Sequence, residues 1–207
     1  MYENFTKQGI QYINIIRDPM SWFQSNYYFG LHGWIKKSDI PLSLGPQNYM
    51  DMKSLDETLD QCVLFKRKFC TITPSAFMEY FSGSFNKKYN LESFLSNGRS
   101  NQLSENLESR IFERAKNVIL NDYVAIGILE ELNKSLKLFE KLKPQFFNGS
   151  VVLAQNLIHL AVKTATRNST PPSNATVEHL KKTILRYPYD LYNFVYSRFE
   201  SQIQNLK

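Results

Sequence analysis

The sequence has 207 residues, 43% of them hydrophobic, and 25 basic residues against 19 acidic ones give a net charge of +6. This length suits one domain with a substantial core. No apolar run approaches the roughly 20 residues that a membrane-spanning helix needs. The basic excess favours anionic partners such as nucleic acid, sulfated sugars or nucleotide phosphates, without choosing among them.

The stretch Gln11–Pro19 predicts a strand that passes directly into a helix. Its apolar, β-branched run over residues 12–16 is typical of a buried strand. Asp18 suits the N-cap position, and Pro19 suits the first helical position, where no N–H is needed. We therefore expect Arg17 at the carboxyl end of the strand, which is where ligands bind in open α/β sheets.

Arg17 and Ser25 form a candidate anion site. Helical spacing of three and four residues puts Asp18, Ser21 and Ser25 on one face of the predicted helix. Because a helix N-terminus favours anions, the guanidinium and the hydroxyl are placed to hold one phosphate. The alternative is that the Arg-Asp-Pro turn only starts a capped helix, and these three residues alone do not choose between the two interpretations.

The rest of the chain predicts helices and one more strand. The strand is the apolar run Tyr123–Leu129, typical of a parallel sheet. Before this strand we predict a helix over 19–32, a capping box at Ser54–Glu57 that opens a helix to about 65, a loop over 71–101 and a helix from about 104. After the strand we predict a helix over 130–142 that packs through Leu132, Leu136 and Phe139. A polar linker over 148–175 and helices over 176–186 and from Pro188 onward complete the prediction. The fold class is therefore α/β with a parallel sheet flanked by helices. Two strands are few for such a sheet, which suggests that further strands precede the chain.

The two cysteines, Cys62 and Cys70, match neither a CxxC redox pair nor a zinc-binding pattern. A short-loop disulfide and two free buried thiols fit their spacing about equally. The sequence also contains more N-x-S/T sequons than its composition alone would give, which weakly favours a secretory protein. The sequons are at Asn4, Asn133, Asn148, Asn168 and Asn174.

Several segments together resemble the glycosaminoglycan uronosyl 2-O-sulfotransferases. Tyr12–Pro19 with Ser25 is similar to the 3′-phosphate-binding segment of that family. The similarity continues through 59–62 with Cys70, through the strand–helix junction at 125–132, through 146–149 and through Pro171-Pro172. The match therefore extends over most of the chain.

The resemblance implies a P-loop-type sulfotransferase fold, present in part, as a single domain over residues 1–207. It implies an enzyme that transfers sulfate from 3′-phosphoadenylyl sulfate to the 2-hydroxyl of a uronic acid in dermatan, chondroitin or heparan sulfate. Arg17 and Ser25 would bind the 3′-phosphate of this donor, a task that suits a bidentate guanidinium and a hydroxyl. Thr164 and Thr166 would belong to a loop over the nucleotide.

The resemblance also implies partners and a compartment. Lys36 and Lys37 are candidates for contacting the acidic polysaccharide, and Cys62 and Cys70 would form a disulfide. We expect no metal and no nucleic acid, a possible homotrimer, and a type II protein of the Golgi lumen whose membrane anchor precedes these residues. The expected glycosylation sites are Asn133, Asn148, Asn168 and Asn174.

Two parts of the family's active site have no counterpart in this sequence. The loop that binds the 5′-phosphosulfate and the histidine base lie upstream of the Arg17 strand in the family. His32, His159 and His179 match no catalytic base, so we predict no catalytic residue here and little or no activity for this chain alone. The alternative is a catalytically dead module that binds nucleotides or polyanions. The absence of G-x-x-x-x-G-K-[ST] makes an unrelated kinase-like domain a poor explanation.

Overall fold

The computed structural model describes residues 11–32, 57–67, 70–71, 78, 80–81, 101–161 and 169–206. The chain divides into two compact units. The first unit is drawn from residues 1–17, 75–155 and 190–207, and the second from residues 18–74 and 156–189. The assignment of residues 1–207 to a single domain stays a prediction.

The described residues form a mixed α/β structure. Strand β1 comprises Tyr12–Ile16 and strand β2 comprises Tyr123–Ile128. A 3-10 turn over Leu129–Glu131 follows β2. The helices are α1 (Pro19–His32), α2 (Leu59–Leu64), α3 (Asn101–Asp122), α4 (Leu132–Leu142), α5 (Pro144–Phe147), α6 (Ser150–Ala161), α7 (Asn174–Lys182) and α8 (Arg186–Gln204).

The two strands lie side by side in the first unit and run parallel, with Ile16 opposite Ile128. Within the described residues they form a two-stranded sheet. Residues 125–128 of β2 are buried, as their unbroken apolar sequence predicts for a parallel strand. The predicted parallel pairing is therefore confirmed, with β2 one residue shorter than predicted because Leu129 begins the 3-10 turn.

Helix α4 packs closely on β2 because Gly127 has no side chain. A Cβ atom at Gly127 would lie 2.6 Å from the Cβ of Ser135 and 2.9 Å from the ring of Phe139. The buried Ser135 hydroxyl donates to the carbonyl of Ile128 at 2.9 Å and accepts from its N–H at 2.8 Å. The carboxyl end of β2 is therefore held by packing and by a buried pair of hydrogen bonds.

The other end of β2 is held by α8. The Arg198 guanidinium donates to the carbonyls of Ile119 and Tyr123, at 2.8 and 2.6 Å. The Gln202 amide donates to the carbonyl of Val124 at 2.8 Å. Burial lowers the pKa of Arg198, and backbone carbonyls accept from two of its five N–H donors. These contacts fix α8 along the strand.

The second unit has its own apolar core. The core joins α1 to α2 and α7 through buried side chains that include Phe23, Tyr27, Leu59, Leu180 and Leu185. A disulfide links Cys62 of α2 to Cys70, and the Glu57 carboxylate pairs with the Arg67 guanidinium at 3.0 Å inside the loop that this disulfide anchors. Glu57 is buried, so this ion pair is shielded from solvent.

Two predicted helix features are wrong in detail. The capping box of α2 consists of Thr58 and Gln61 and not of Ser54 and Glu57, because the Glu57 side chain is used in the pair with Arg67. Ser54 itself lies outside the described residues. Helix α4 buries Ser135, Leu138 and Phe139, whereas the predicted contacts Leu132 and Leu136 are only partly buried.

The polar linker predicted over 148–175 is also wrong over part of its length. Residues Ser150–Ala161 form α6, and the Glu140 carboxylate accepts from the N–H of Val151 at 3.1 Å at the start of this helix.

The break between the two C-terminal helices lies at residues 183–185 and not at Tyr187-Pro188 as predicted. Pro188 is in the first turn of α8, where its missing N–H removes no helical hydrogen bond. Of the loop predicted over 71–101, Met78, Tyr80 and Phe81 are helical.

Candidate phosphate-binding site

The start of α1 has the capped geometry that the sequence predicts. The Asp18 carboxylate accepts from the N–H of Ser21 at 2.8 Å, which makes Asp18 the N-cap residue. The Tyr189 hydroxyl donates to the other oxygen of the same carboxylate at 3.0 Å. The side chain of Asp18 is therefore fixed from two sides, and the first turn of α1 with it.

Arg17 lies directly after β1, at the carboxyl end of the strand, and is partly buried. Ser25 lies two turns into α1 and is also partly buried. Arg17 belongs to the first unit and Ser25 to the second. The joint grip of the two side chains on one phosphate stays a prediction.

Two side chains beside Ser25 hold a distant segment against α1. The Gln24 amide donates to the Ser169 hydroxyl at 2.9 Å, and the Tyr28 hydroxyl donates to the carbonyl of Thr170 at 3.0 Å. The same Tyr28 oxygen accepts from the N–H of Leu59 at 3.2 Å. The segment that follows residues 162–168 is thus attached to the helix that carries Ser25.

Asp60 holds the other end of this segment. Its carboxylate accepts from the N–H and the hydroxyl of Ser173, at 3.0 and 2.9 Å. Hydrogen bonds from Thr176 and Ser173 lower the pKa of Asp60 below its ordinary value, with partial burial acting in the opposite direction. Because Ser173 is the N-cap of α7, this carboxylate also fixes the beginning of that helix.

The carboxyl end of β2 carries a second group of polar side chains, which belongs to the first unit. The Tyr196 hydroxyl donates to the Glu131 carboxylate at 2.6 Å, and the Lys134 ammonium pairs with the same carboxylate. These two contacts, from Lys134 first and then Tyr196, lower the pKa of Glu131. The turn after β2 is therefore fixed in place by both α4 and α8.

The remaining predicted site residues divide between described and undescribed positions. Five of them lie outside the described residues, namely Lys36, Lys37, Thr164, Thr166 and Asn168. Asn133, Asn148 and Asn174 are exposed, as a glycan acceptor must be.

Neither a metal centre nor a membrane-spanning helix is found in the part of the chain that the structure describes. Within the described ranges no group of three or more His, Cys, Asp or Glu side chains could hold a metal ion. Of the helices that the structure describes, none is long and apolar enough to cross a membrane.

Sequence reasoning missed Gln24, Tyr28 and Asp60. Each makes its contact with a residue more than 110 positions away, and such pairings leave no local signature. The available signals were the position of Gln24 beside Ser25 in the proposed phosphate segment and the position of Asp60 in the segment 59–62 that resembles the family, and neither identifies a partner.

Comparison with known proteins finds similarity to the sulfotransferases that the sequence motifs resemble. The chain is 31% identical to mouse uronyl 2-sulfotransferase over 203 residues, which is 95% of this chain and 45% of that protein. It is 26% identical to Xenopus laevis heparan sulfate 2-O-sulfotransferase 1, covering 95% of this chain and 50% of that protein. It is 27% identical to the Drosophila melanogaster heparin sulfate O-sulfotransferase over 91% of this chain and 48% of that protein. No protein-family model matches. The chain thus spans about half the length of the curated relatives it matches.

Proposed function

Because this chain is similar over most of its length to uronyl and heparan sulfate 2-O-sulfotransferases, we propose that it belongs to their family and forms the 3′-phosphate-binding part of a glycosaminoglycan 2-O-sulfotransferase. The observation that carries the proposal is the position of Arg17 at the carboxyl end of a parallel strand. Arg17 lies at the carboxyl end of a parallel strand, Asp18 caps the helix that follows, and Ser25 lies on that helix. The carboxyl end of a parallel strand and the N-terminus of a helix each suit an anionic ligand.

The sulfate donor in this proposal is 3′-phosphoadenylyl sulfate. Its 3′-phosphate distinguishes it from ATP, and an arginine with a nearby hydroxyl supplies charge-assisted hydrogen bonds to that group. Thr164 and Thr166 are proposed as further ligands. The attachment of Ser169 to Gln24 supports the assignment of Thr166, because the three steps along the chain from Thr166 to Ser169 span at most about 11 Å.

The acceptor in this proposal is a uronic acid of dermatan, chondroitin or heparan sulfate, bound with help from Lys36 and Lys37. The higher identity to uronyl 2-sulfotransferase than to the heparan sulfate enzymes favours the uronyl branch. We place the protein in the Golgi lumen, where a disulfide between Cys62 and Cys70 and glycans at the sequons are compatible with the compartment.

We expect these 207 residues alone to bind the donor's 3′-phosphate without completing sulfate transfer. The sequence contains no phosphate-cradling glycine loop, and transfer requires cationic stabilisation of the leaving phosphate. Incubation with labelled donor and either desulfated dermatan or 2-O-desulfated heparin tests this expectation. Labelled product from the chain alone would contradict it and would identify the acceptor.

Ligand-induced stabilisation tests the proposed function itself. Adenosine 3′,5′-bisphosphate is expected to raise the Tm of the wild-type chain and to have no effect on Arg17→Ala, because binding to the folded state adds stability. Arg17→Lys, which keeps the charge but loses the bidentate geometry, is the matched control and should respond weakly. A chain stabilised by heparin fragments but not by the nucleotide would instead be a polyanion-binding module.

A further inference from the structure

Leu129 lies beside Arg17 at the edge of the sheet where we place the donor. The strands β1 and β2 are parallel, and Ile16 is paired with Ile128. The residue after each therefore emerges at the same edge, so Leu129 follows β2 as Arg17 follows β1. Neighbouring strands lie about 4.8 Å apart, which is within the span of one nucleoside.

Leu129 is exposed at the point where its strand ceases to be buried. The exposed fraction changes from 0% at Ile128 to 43% at Leu129. A large aliphatic side chain exposed at the carboxyl edge of a parallel sheet is available to a ligand that binds there. Its polar neighbours Glu130 and Glu131 turn instead to hydroxyl groups of α8, since Tyr192 donates to Glu130 at 3.5 Å and Tyr196 donates to Glu131 at 2.6 Å.

The turn that presents Leu129 is held on both sides. Before it, the buried Ser135 hydroxyl engages both the N–H and the carbonyl of Ile128. After it, Glu131 is engaged by Lys134 and Tyr196. A side chain between two such anchors is preorganised, so a contact with a ligand costs little further ordering.

We infer that Leu129 forms the apolar side of the nucleoside subsite and packs against the adenine or ribose of the sulfate donor while Arg17 holds the 3′-phosphate. The inference rests on the proposed function, because it assigns the neighbouring residue to the same ligand. It adds an apolar contact to a site that the sequence describes only through charged and hydroxyl groups.

A tryptophan at this position tests the inference by a readout independent of affinity. Leu129→Trp places an indole where the nucleoside is proposed to pack, and adenosine 3′,5′-bisphosphate should quench its fluorescence relative to the wild-type background. Leu120→Trp is the matched control, because Leu120 is an exposed leucine of α3 in the same unit. Quenching of the Leu129 indole alone supports the inference, and equal quenching or none at either position overturns it.

Affinity measurements complete the test. Leu129→Ser should weaken binding of adenosine 3′,5′-bisphosphate by about three- to tenfold, as expected for loss of a partly buried leucine contact. Leu120→Ser should leave binding unchanged. If Arg17→Ala abolishes binding while both leucine variants bind as the wild type does, the inference fails and the proposed function stands. If Arg17→Ala binds as tightly as the wild type, the proposed function fails, and this inference fails with it.

Discussion

Gly127 shows how one missing side chain sets the position of the candidate ligand edge. Its Cα faces Ser135 and Phe139 of α4 so closely that any Cβ would overlap both side chains. Both contacts lie on buried side chains, so neither can move away at low cost. The close approach lets Ser135 reach the backbone of Ile128 and fix the strand end.

We predict that Gly127→Ala lowers the free energy of unfolding by about 1–3 kcal/mol through overpacking. Equilibrium denaturation of the wild type and the variant measures the difference. Gly149→Ala is the control, because Gly149 has φ +82° and nothing within 4 Å of its built Cβ. Its cost should be only the left-handed backbone strain, about 1 kcal/mol. A neutral Gly127→Ala would show that α4 does not pack on β2 as described.

Asp60 gives a prediction that depends on pH. Hydrogen bonds from Thr176 and Ser173 lower the pKa of its carboxyl in the folded chain. Because the folded pKa lies below the unfolded one, the stability from Asp60 is complete above about pH 5 and is lost as the pH falls through the folded pKa. Asp60→Asn should therefore cost about 1 kcal/mol near pH 7, with the difference shrinking in acid.

Equilibrium denaturation of the wild type and of Asp60→Asn, from neutral pH into acid, measures how much the charged carboxylate adds to the free energy of unfolding. Ser173→Ala removes one of the hydroxyl donors to Asp60 and also the N-cap of α7, so it should add a loss that does not depend on pH to a smaller loss that shrinks in acid. A difference between Asp60→Asn and the wild type that stays constant into acid would contradict the role given to the charged carboxylate.

At the scale of elements, the disulfide-anchored segment after α2 is held by a covalent bond and an ion pair. Cys62 and Cys70 enclose a short loop, and the buried Glu57 reaches Arg67 within it. We predict that replacing both cysteines by serine lowers the free energy of unfolding by about 2–3 kcal/mol, by the loop-closure estimate. Denaturation with and without reductant checks it. The wild type should be sensitive to reductant and the double variant should not, whereas an insensitive wild type would mean that the thiols are free.

The elements that the sequence predicts well are those with a local cause. The helix over 19–32 follows from the Asp18 cap and Pro19, and β2 follows from an unbroken apolar run. Helix α6 is missing from the prediction because residues 150–161 are assigned to a polar linker although their sequence is mostly apolar, and the Glu140 contact at its N-terminus has no local signature. Two local patterns, 54–57 and 58–61, fit a capping box at the start of α2, and the structure uses the second while Glu57 pairs with Arg67. The local pattern therefore does not choose between the two positions.

At the scale of the whole molecule, the candidate site could be predicted only in part. Arg17 and Ser25 were identified from a motif and their spacing, and the structure gives each a partly buried position on the predicted element. The attachment of residues 169–173 through Gln24, Tyr28 and Asp60 could not be predicted, because it depends on pairs far apart in the sequence. Similarity to uronyl 2-sulfotransferase over 95% of the chain supports the proposed function, which the geometry alone does not identify.

The central proposal, which rests on the sequence motif, is that Arg17 and Ser25 bind the same 3′-phosphate. It is tested most directly by calorimetric titration of the wild type, Arg17→Ala, Ser25→Ala and the double variant with adenosine 3′,5′-bisphosphate and with adenosine 5′-monophosphate. The wild type should prefer the bisphosphate by about 10- to 100-fold, the range expected for charge-assisted hydrogen bonds. Arg17→Ala should abolish this preference, Ser25→Ala should reduce it, and the double variant should lose no more than Arg17→Ala alone. A preference for the bisphosphate that survives in Arg17→Ala would contradict the account.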